Sequence, residues 1–159
     1  MANSIFMTLT GKTQGLISGG CLSINSVGNK HIAGHEDEIY VYATNYDLSR
    51  DNHVNHHPFL ITKTIDKATP LLITSIADNE LLECELKYYR TSANGTQENY
   101  MTIKLSQASI TNISNQNPNS LTHNDMQPFE TISLRYENIT CQHNTAGTSG
   151  YSFLTEQLF

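Results

Sequence analysis

Twice between Pro58 and Tyr89 the spacing of apolar residues changes, and this stretch organises the rest of the chain. Phe59, Ile61 and Ile65 alternate with Leu60, Thr62 and Thr64, the two-residue period of a half-buried strand. Leu72, Ile73, Ile76 and Ala77 then recur at helical spacing. Thr69-Pro70 supplies an entry: a hydroxyl to accept an orphan N–H, then a proline whose missing N–H costs nothing at the first position. Asp66 is an alternative cap one turn earlier. After Asp78-Asn79 the alternation returns, with Leu82, Cys84, Leu86 and Tyr88 on one face and Glu83, Glu85, Lys87 and Tyr89 on the other. The unit reads strand, helix, strand.

Around it the pattern predicts strands. Ile5–Leu9 is a first strand, Leu16-Ile17 begins a second, and Cys21–Ile24 continues it beyond Gly19-Gly20. Val27–Glu38 is loop-like, and Ile39, Val41 and Ala43 alternate with Tyr40 and Tyr42. Asn45–His57 is polar and aperiodic, a long loop for a compact domain and therefore a candidate for function. Asn94-Gly95 signals a type I′ hairpin, with both residues at positive φ. Met101, Ile103 and Leu105 alternate in the returning strand, which Ala108–Ile113 continues, and Ser114–Gln127 is a second polar loop. Ile132, Leu134 and Tyr136 alternate out of phase with Ile139 and Cys141, which predicts a bulge near Glu137-Asn138. Ala146–Gly150 is a turn, and Tyr151–Phe159 an apolar tail. Short strands with regular turn signals and one short helix make a mainly β fold, a small barrel or two-sheet sandwich. At 159 residues the chain makes one domain, 1–159, with a real core.

Composition narrows the function. Only 15% of residues are charged and the net charge is −6, which argues against nucleic acid or anionic lipid as a partner. No run is long enough to insert in a membrane, and the opening MANSIFMTLTGK does not read as a signal peptide. Cys21, Cys84 and Cys141 lack paired spacing and read as free or buried thiols of a reducing compartment. Three glycosylation triplets, at Asn94, Asn112 and Asn138, are what chance gives a chain so rich in Asn, Ser and Thr.

Candidate chemistry is sparse. His53, His56 and His57 cluster and His31 and His35 are four apart, but on predicted loops without the rigid knuckles of a zinc site. Cys141 and His143 share a strand side with no nucleophile elbow or oxyanion turn near them. Glu83 and Glu85, beside Lys87, read as a solvated or inter-subunit face rather than an acid–base pair. No phosphate loop or dinucleotide fingerprint occurs. The residues expect no catalysis, no cofactor and no metal. Open strand edges and long loops do need a cover, and a second copy would supply one.

The segment HHPFLITKTIDKATPLL resembles the signature of the Hcp proteins, tube-forming subunits of the bacterial type VI secretion system. His56, Pro58, Phe59, Lys63, Asp66, Lys67, Pro70 and Leu72 stand at the places of an "HxPFxxxKxxDKxxPxL" pattern. The likeness continues through ELKYYR (Glu85–Arg90), Asn94-Gly95, Tyr100, Thr122–Asp125, ETISLRYENI (Glu130–Ile139) and the opening MANSIFMTLTG. Asn25–Ala43 is less typical, and Cys141 stands where the family often has tryptophan. The resemblance implies a fold similar to phage tail-tube proteins and a homohexameric ring. Such rings stack into a tube inside a contractile sheath, tipped by a spike protein and able to carry small effector proteins. The subunit would leave the bacterial cytoplasm through that apparatus without a signal peptide.

Roles can be assigned within that picture. Asn45, Asp47, Arg50, Asp51, His53 and His56 of the first polar loop are expected at ring-on-ring contacts. Pro70, Leu71, Thr74, Ser75 and Asp78 of the helix are expected, with edge strands, at the heterologous interface that closes a ring. Glu83, Glu85 and Lys87 are expected to face the lumen. A monomeric ligand-binding β-barrel is the alternative.

Overall fold

The computed structural model describes residues 3–154. In order they form β1 (Asn3–Gly11), β2 (Gly15–Leu16), a four-residue α1 (Ile24–Val27) continued by a 3-10 turn (Gly28–Lys30), β3 (Ile39–Asn45), β4 (Leu48–Arg50) and β5 (Val54–His56). Then come β6 (Phe59–Thr64), α2 (Thr69–Ala77), β7 (Leu82–Thr91), β8 (Gln97–Gln116), β9 (Phe129–Arg135), β10 (Asn138–His143) and β11 (Thr148–Phe153).

β7, β1, β3, β6, β9 and β8 pair antiparallel in that order, and β8 also pairs with β7, so the ladder returns to its start. One twenty-residue strand makes the closure possible. The first half of β8 pairs with β7 on one edge and β10 on the other, while Ser109–Gln116 pairs with β9. β10 and β11 extend the wall beyond the ring, and among the described residues β11 pairs with β10 alone.

The two-residue alternation fills this ring. Leu9, Cys84, Leu105 and Ile139 stand side by side across four strands, as do Met7, Leu86, Ile103 and Cys141. Phe59 opposite Leu134 and Ile61 opposite Ile132 close the core from the far wall. Burying each such side chain contributes about 1.5–3 kcal/mol.

Several expectations are corrected. Cys21–Ile24 does not continue a strand: Gly20 turns the chain at φ 72°, Cys21 and Leu22 bury beneath it, and Ser23 precedes α1, a second helix. Asn45–His57 is an ordered hairpin, β4 against β5. β8 runs on through Gln116, so the second polar loop is shorter than Ser114–Gln127. Gly95 alone of the Asn94-Gly95 pair has positive φ, 83°, because five residues, 92–96, span the connection and a two-residue I′ turn is not required.

The phase slip after Tyr136 is a kink shared by two strands rather than a bulge in one. Register is unbroken from Ser106 opposite Asn138 to Ser109 opposite Arg135, while β8 slips in step from buried Leu105 to buried Ala108. The bulge faces β7 instead: β8 carries the extra residue between the pairs Leu82–Ala108 and Cys84–Leu105, and Gln107 there adopts φ 51°.

Candidate assembly surfaces

The outward rows of the wall make one polar face. Thr8, Glu85, Lys104 and Thr140 lie abreast, and Phe6, Lys87, Thr102 and Gln142 form the next row. Glu83 stands opposite Thr10 and accepts a hydrogen bond from the Gln107 amide at 3.1 Å. The alternation thus brings Glu83, Glu85 and Lys87 together on one face. Glu85 and Lys104 are opposite charges on paired strands, which adds a few tenths of a kcal/mol, about 0.2–1. Phe6 is the apolar exception. His35 stacks on it at 3.9 Å, and the edges of Tyr40 and Tyr89 pack around it.

The β4–β5 hairpin carries Asp47, Arg50, Asp51, His53 and His56, with Asn45 at its root. It is pinned at its base. Tyr46 stacks on Phe59 with ring centroids 4.9 Å apart, the His57 amide donates to Asp47 O at 3.2 Å, and His56 Nε2 lies 2.8 Å from Ser152 Oγ. The imidazole of His56 also meets Tyr136 edge-on at 5.5 Å. Burial lowers the pKa of His56 and keeps it neutral at pH 7.

Helix α2 is seated on a buried ionic cluster. Lys63, fully inaccessible, is the third inward residue of β6 after Phe59 and Ile61. Its ammonium donates to Glu130, to Asp66 at 3.1 Å and to Thr64 O at 2.8 Å. Glu130 is its direct partner across the β6–β9 ladder and also accepts from Thr69 Oγ1 at 2.9 Å. Asp66 accepts from the Ala68 amide at 2.9 Å, but neither expected cap is realised: Ala68 is the N-cap without a side-chain cap bond, Thr69 is already the first helical residue, and its hydroxyl accepts from the Asp66 amide at 3.2 Å. Burial raises the Asp66 pKa, with the Lys63 ammonium opposing it. At the other end Asn79 adopts φ 50° and Glu80 turns back, accepting from the Thr13 and Gln14 amides at 2.9 Å each and from Gln14 Nε2 at 2.8 Å.

The helix phase differs from the expected one. Leu72 and Ser75 are buried, and Ser75 Oγ accepts from Gln14 Nε2 at 2.9 Å. Leu71 is half-buried; Pro70, Thr74 and Asp78 are exposed, and so is Ile73, at 60%. The outward apolar residue of α2 is therefore Ile73. β11 supplies a second outward apolar patch: Tyr151, 76% exposed, packs edge-on with Phe153 at 5.6 Å along the open strand edge.

Among the described residues no side-chain cluster has the arrangement of an active centre. Cys21, Cys84 and Cys141 are free, and burial pushes the Cys21 thiol up to about 12. His143 Nδ1 accepts from the Ala146 amide at 3.1 Å, closing the β10–β11 turn. Among the described residues no three His, Cys, Asp or Glu side chains gather as metal ligands.

Comparison with known proteins decides the family. The model for "Type VI secretion system effector, Hcp" matches residues 6–143. The chain belongs to the Hcp family. It is 38% identical, over 94% of each chain, to the Major exported protein of Pseudomonas aeruginosa. Among solved structures it is similar to an Hcp protein crystal structure, with TM-score 0.92, 32% identity and coverage of 98% of this chain and 100% of the other. It is also similar to the secreted protein Hcp3 from Pseudomonas aeruginosa, with TM-score 0.88, 37% identity and coverage of 98% and 100%. Hcp proteins are structural tube proteins of a secretion system, not enzymes.

The surfaces missing from the sequence reading had uneven signals. Lys63 stood in plain view at an inward strand position, but its partner Glu130 comes from β9. The Gln14–Glu80 contact and the His35–Phe6 stack join segments with no shared pattern.

Proposed function

We propose that the chain is the repeating subunit of homohexameric rings that stack into the inner tube of a type VI apparatus. It is exported from the bacterial cytoplasm with the spike when the sheath contracts, and it carries small effectors in the lumen. The observation that carries this reading is that, among its exposed apolar residues, the subunit presents Tyr151 and Phe153 along the β11 edge and, on a different element, Ile73 on the outer face of α2. Two unlike patches are what a heterologous, closing interface requires, and an unpaired edge strand needs a partner. Pro70, Thr74 and Asp78 rim the helix patch, with Leu71 and Ser75 holding it from beneath. The polar rows bearing Glu83, Glu85 and Lys87 line the hole, where mixed, sparse charge lets cargo slide and release. The hairpin from Asn45 to His56 meets the next ring, pinned at its base so that its tip can bear load.

Negative-stain images of the purified protein test this. Rings with a central hole, and stacks of rings at high concentration, are expected. In rings, Glu85→Cys should react with a small maleimide, while a protein-sized maleimide should be excluded once rings stack. Equal reaction of both reagents would remove the lumen assignment. A field of single compact particles would remove the ring. The alternative, a monomeric ligand-binding barrel, is weakened by a ring interior already filled by Met7, Leu9, Leu86, Ile103 and Leu105.

A further inference from the structure

The polar wall ends differently on its two sides. On one side β11 leaves an open edge that carries Tyr151 and Phe153. Tyr151 lies opposite Thr140, so both aromatics project from the same face as the polar rows. On the other side, beyond β1, Tyr40 of β3 stands beside Phe6 on that same face. A cleft of about 230 Å³ opens there, walled by Leu22, Val27, Ile32, Tyr40 and Tyr42. Tyr42 is 41% exposed and packs edge-on with Tyr40 at 5.7 Å. Ile24, also exposed, precedes Val27 by three residues and so shares its side of α1. The Lys67 amide donates to Ser26 Oγ at 2.8 Å, so α1 and its cleft border the segment that leads into α2. The charges at the two flanks are opposite. Lys30 is exposed in the cleft wall. Glu137 is exposed beside the end of β11, where its carbonyl accepts from the Leu154 amide at 2.7 Å. Neither has an ion-pair partner among the described residues.

We infer that the cleft receives the β11 edge of a neighbouring copy, with that copy's Tyr151 seated in it and its Glu137 facing Lys30. This rests on the ring reading and names the residues that meet at each seam. When the polar face turns inward around a hole, side chains projecting from its two flanks converge where one copy meets the next. The cleft lies below the roughly 300–1,000 Å³ of pockets for drug-sized ligands. It suits a single aromatic side chain, which buries about 150–250 Å² and packs well against the edges of other rings. An apolar, aromatic centre with one pair of charges at its margin is the layout of a protein–protein contact. A small ligand in the cleft would leave the β11 edge uncovered. A second copy covers both at once, and because the two flanks differ, the contact repeats head to tail.

Two sets of variants of the full chain test this. Tyr42→Cys combined with Tyr151→Cys, treated with a short bis-maleimide, should give a ladder of up to six joined copies on a denaturing gel. The parent and each single variant should remain mostly single chains. Lys30→Glu and Glu137→Lys change exposed charges and leave the fold intact. Each alone should raise the concentration at which rings form several-fold, since the reversed charge then meets a like one at every seam. Together they should restore assembly, because the pair is exchanged rather than broken. Rings seen by light scattering without the cross-linked ladder, or charge reversals whose effects only add, would overturn this contact and leave the ring itself standing. Single chains at every concentration of the parent would remove both.

Discussion

Replacing Lys63 with methionine removes one positive charge and keeps the aliphatic stem that packs in the core. The structure places that charge between two buried carboxylates, Asp66 at 3.1 Å and Glu130 directly across the ladder. Without it two carboxylates face one another in a dry site. Removing one partner of a buried ionic group costs about 3–5 kcal/mol, because the remaining charge stays uncompensated. For a domain of this length each kcal/mol lowers the melting temperature by about 2–4 °C, so K63M should melt roughly 6–20 °C lower. Urea unfolding should show a lower midpoint at an unchanged slope. Adding Glu130→Gln should restore part of the loss, since it removes one stranded charge. The pH dependence has a definite sign. Asp66 has its folded pKa raised by burial, so its contribution to stability is fullest below its unfolded value and is lost as pH rises through the folded one. Without Lys63 the shift grows, and the K63M deficit should be largest near pH 7 and shrink toward pH 5. A K63M protein within 1 kcal/mol of the parent, or a deficit independent of pH, would refute this account of the helix seat.

Further outcomes follow from the same geometry. A Cβ at Gly11 would lie 2.1 Å from Glu80 Oε2; Gly11→Ala should therefore destabilise by about 1–3 kcal/mol in urea, and a cost below 0.5 kcal/mol would contradict the contact. Burial favours the neutral form of Glu80, but the Gln14 and Thr13 donors outweigh it and lower its pKa from 4.5, so its contribution is present above that value and lost as pH falls through the folded one. Glu80→Gln should cost about 1 kcal/mol at pH 7, and the gap to the parent should narrow at pH 3; a constant gap would contradict the assignment. Ile73→Asp should abolish assembly in sedimentation while leaving the unfolding midpoint of the chain within about 0.5 kcal/mol, and intact rings would remove α2 from the interface.

The ring of strands was legible because its walls obey a strict period of two: Leu82, Cys84, Leu86 and Tyr88 fell on the buried side, and Met101, Ile103 and Leu105 alternated as their neighbours on β8 require. The helix was legible in extent but not in phase, since Leu72 and Ile73 are adjacent and nothing in a nine-residue helix says which of them faces in. Burial of Ser75 through Gln14 tips the choice, and that contact spans 61 residues. The hairpin was illegible because three-residue strands are too short to show a period, and its order comes from Tyr46 and His56 reaching outside it and from His57 closing its base onto Asp47 and Ser49. Lys63 was the informative omission: the alternation put a lysine in the core, and a buried lysine implies a carboxylate opposite, here Glu130 on a strand paired through tertiary structure alone. The surfaces proposed for assembly were visible only as polar stretches, because what makes them candidates is the combination of an open edge and an outward Ile73.

Light scattering coupled to size exclusion tests the central claim most directly. The account predicts a species of about 107 kDa, six copies of the 17.8 kDa chain, that falls to single subunits when Ile73 or Tyr151 is made acidic. A purified parent protein eluting at the mass of one chain at every concentration would contradict it.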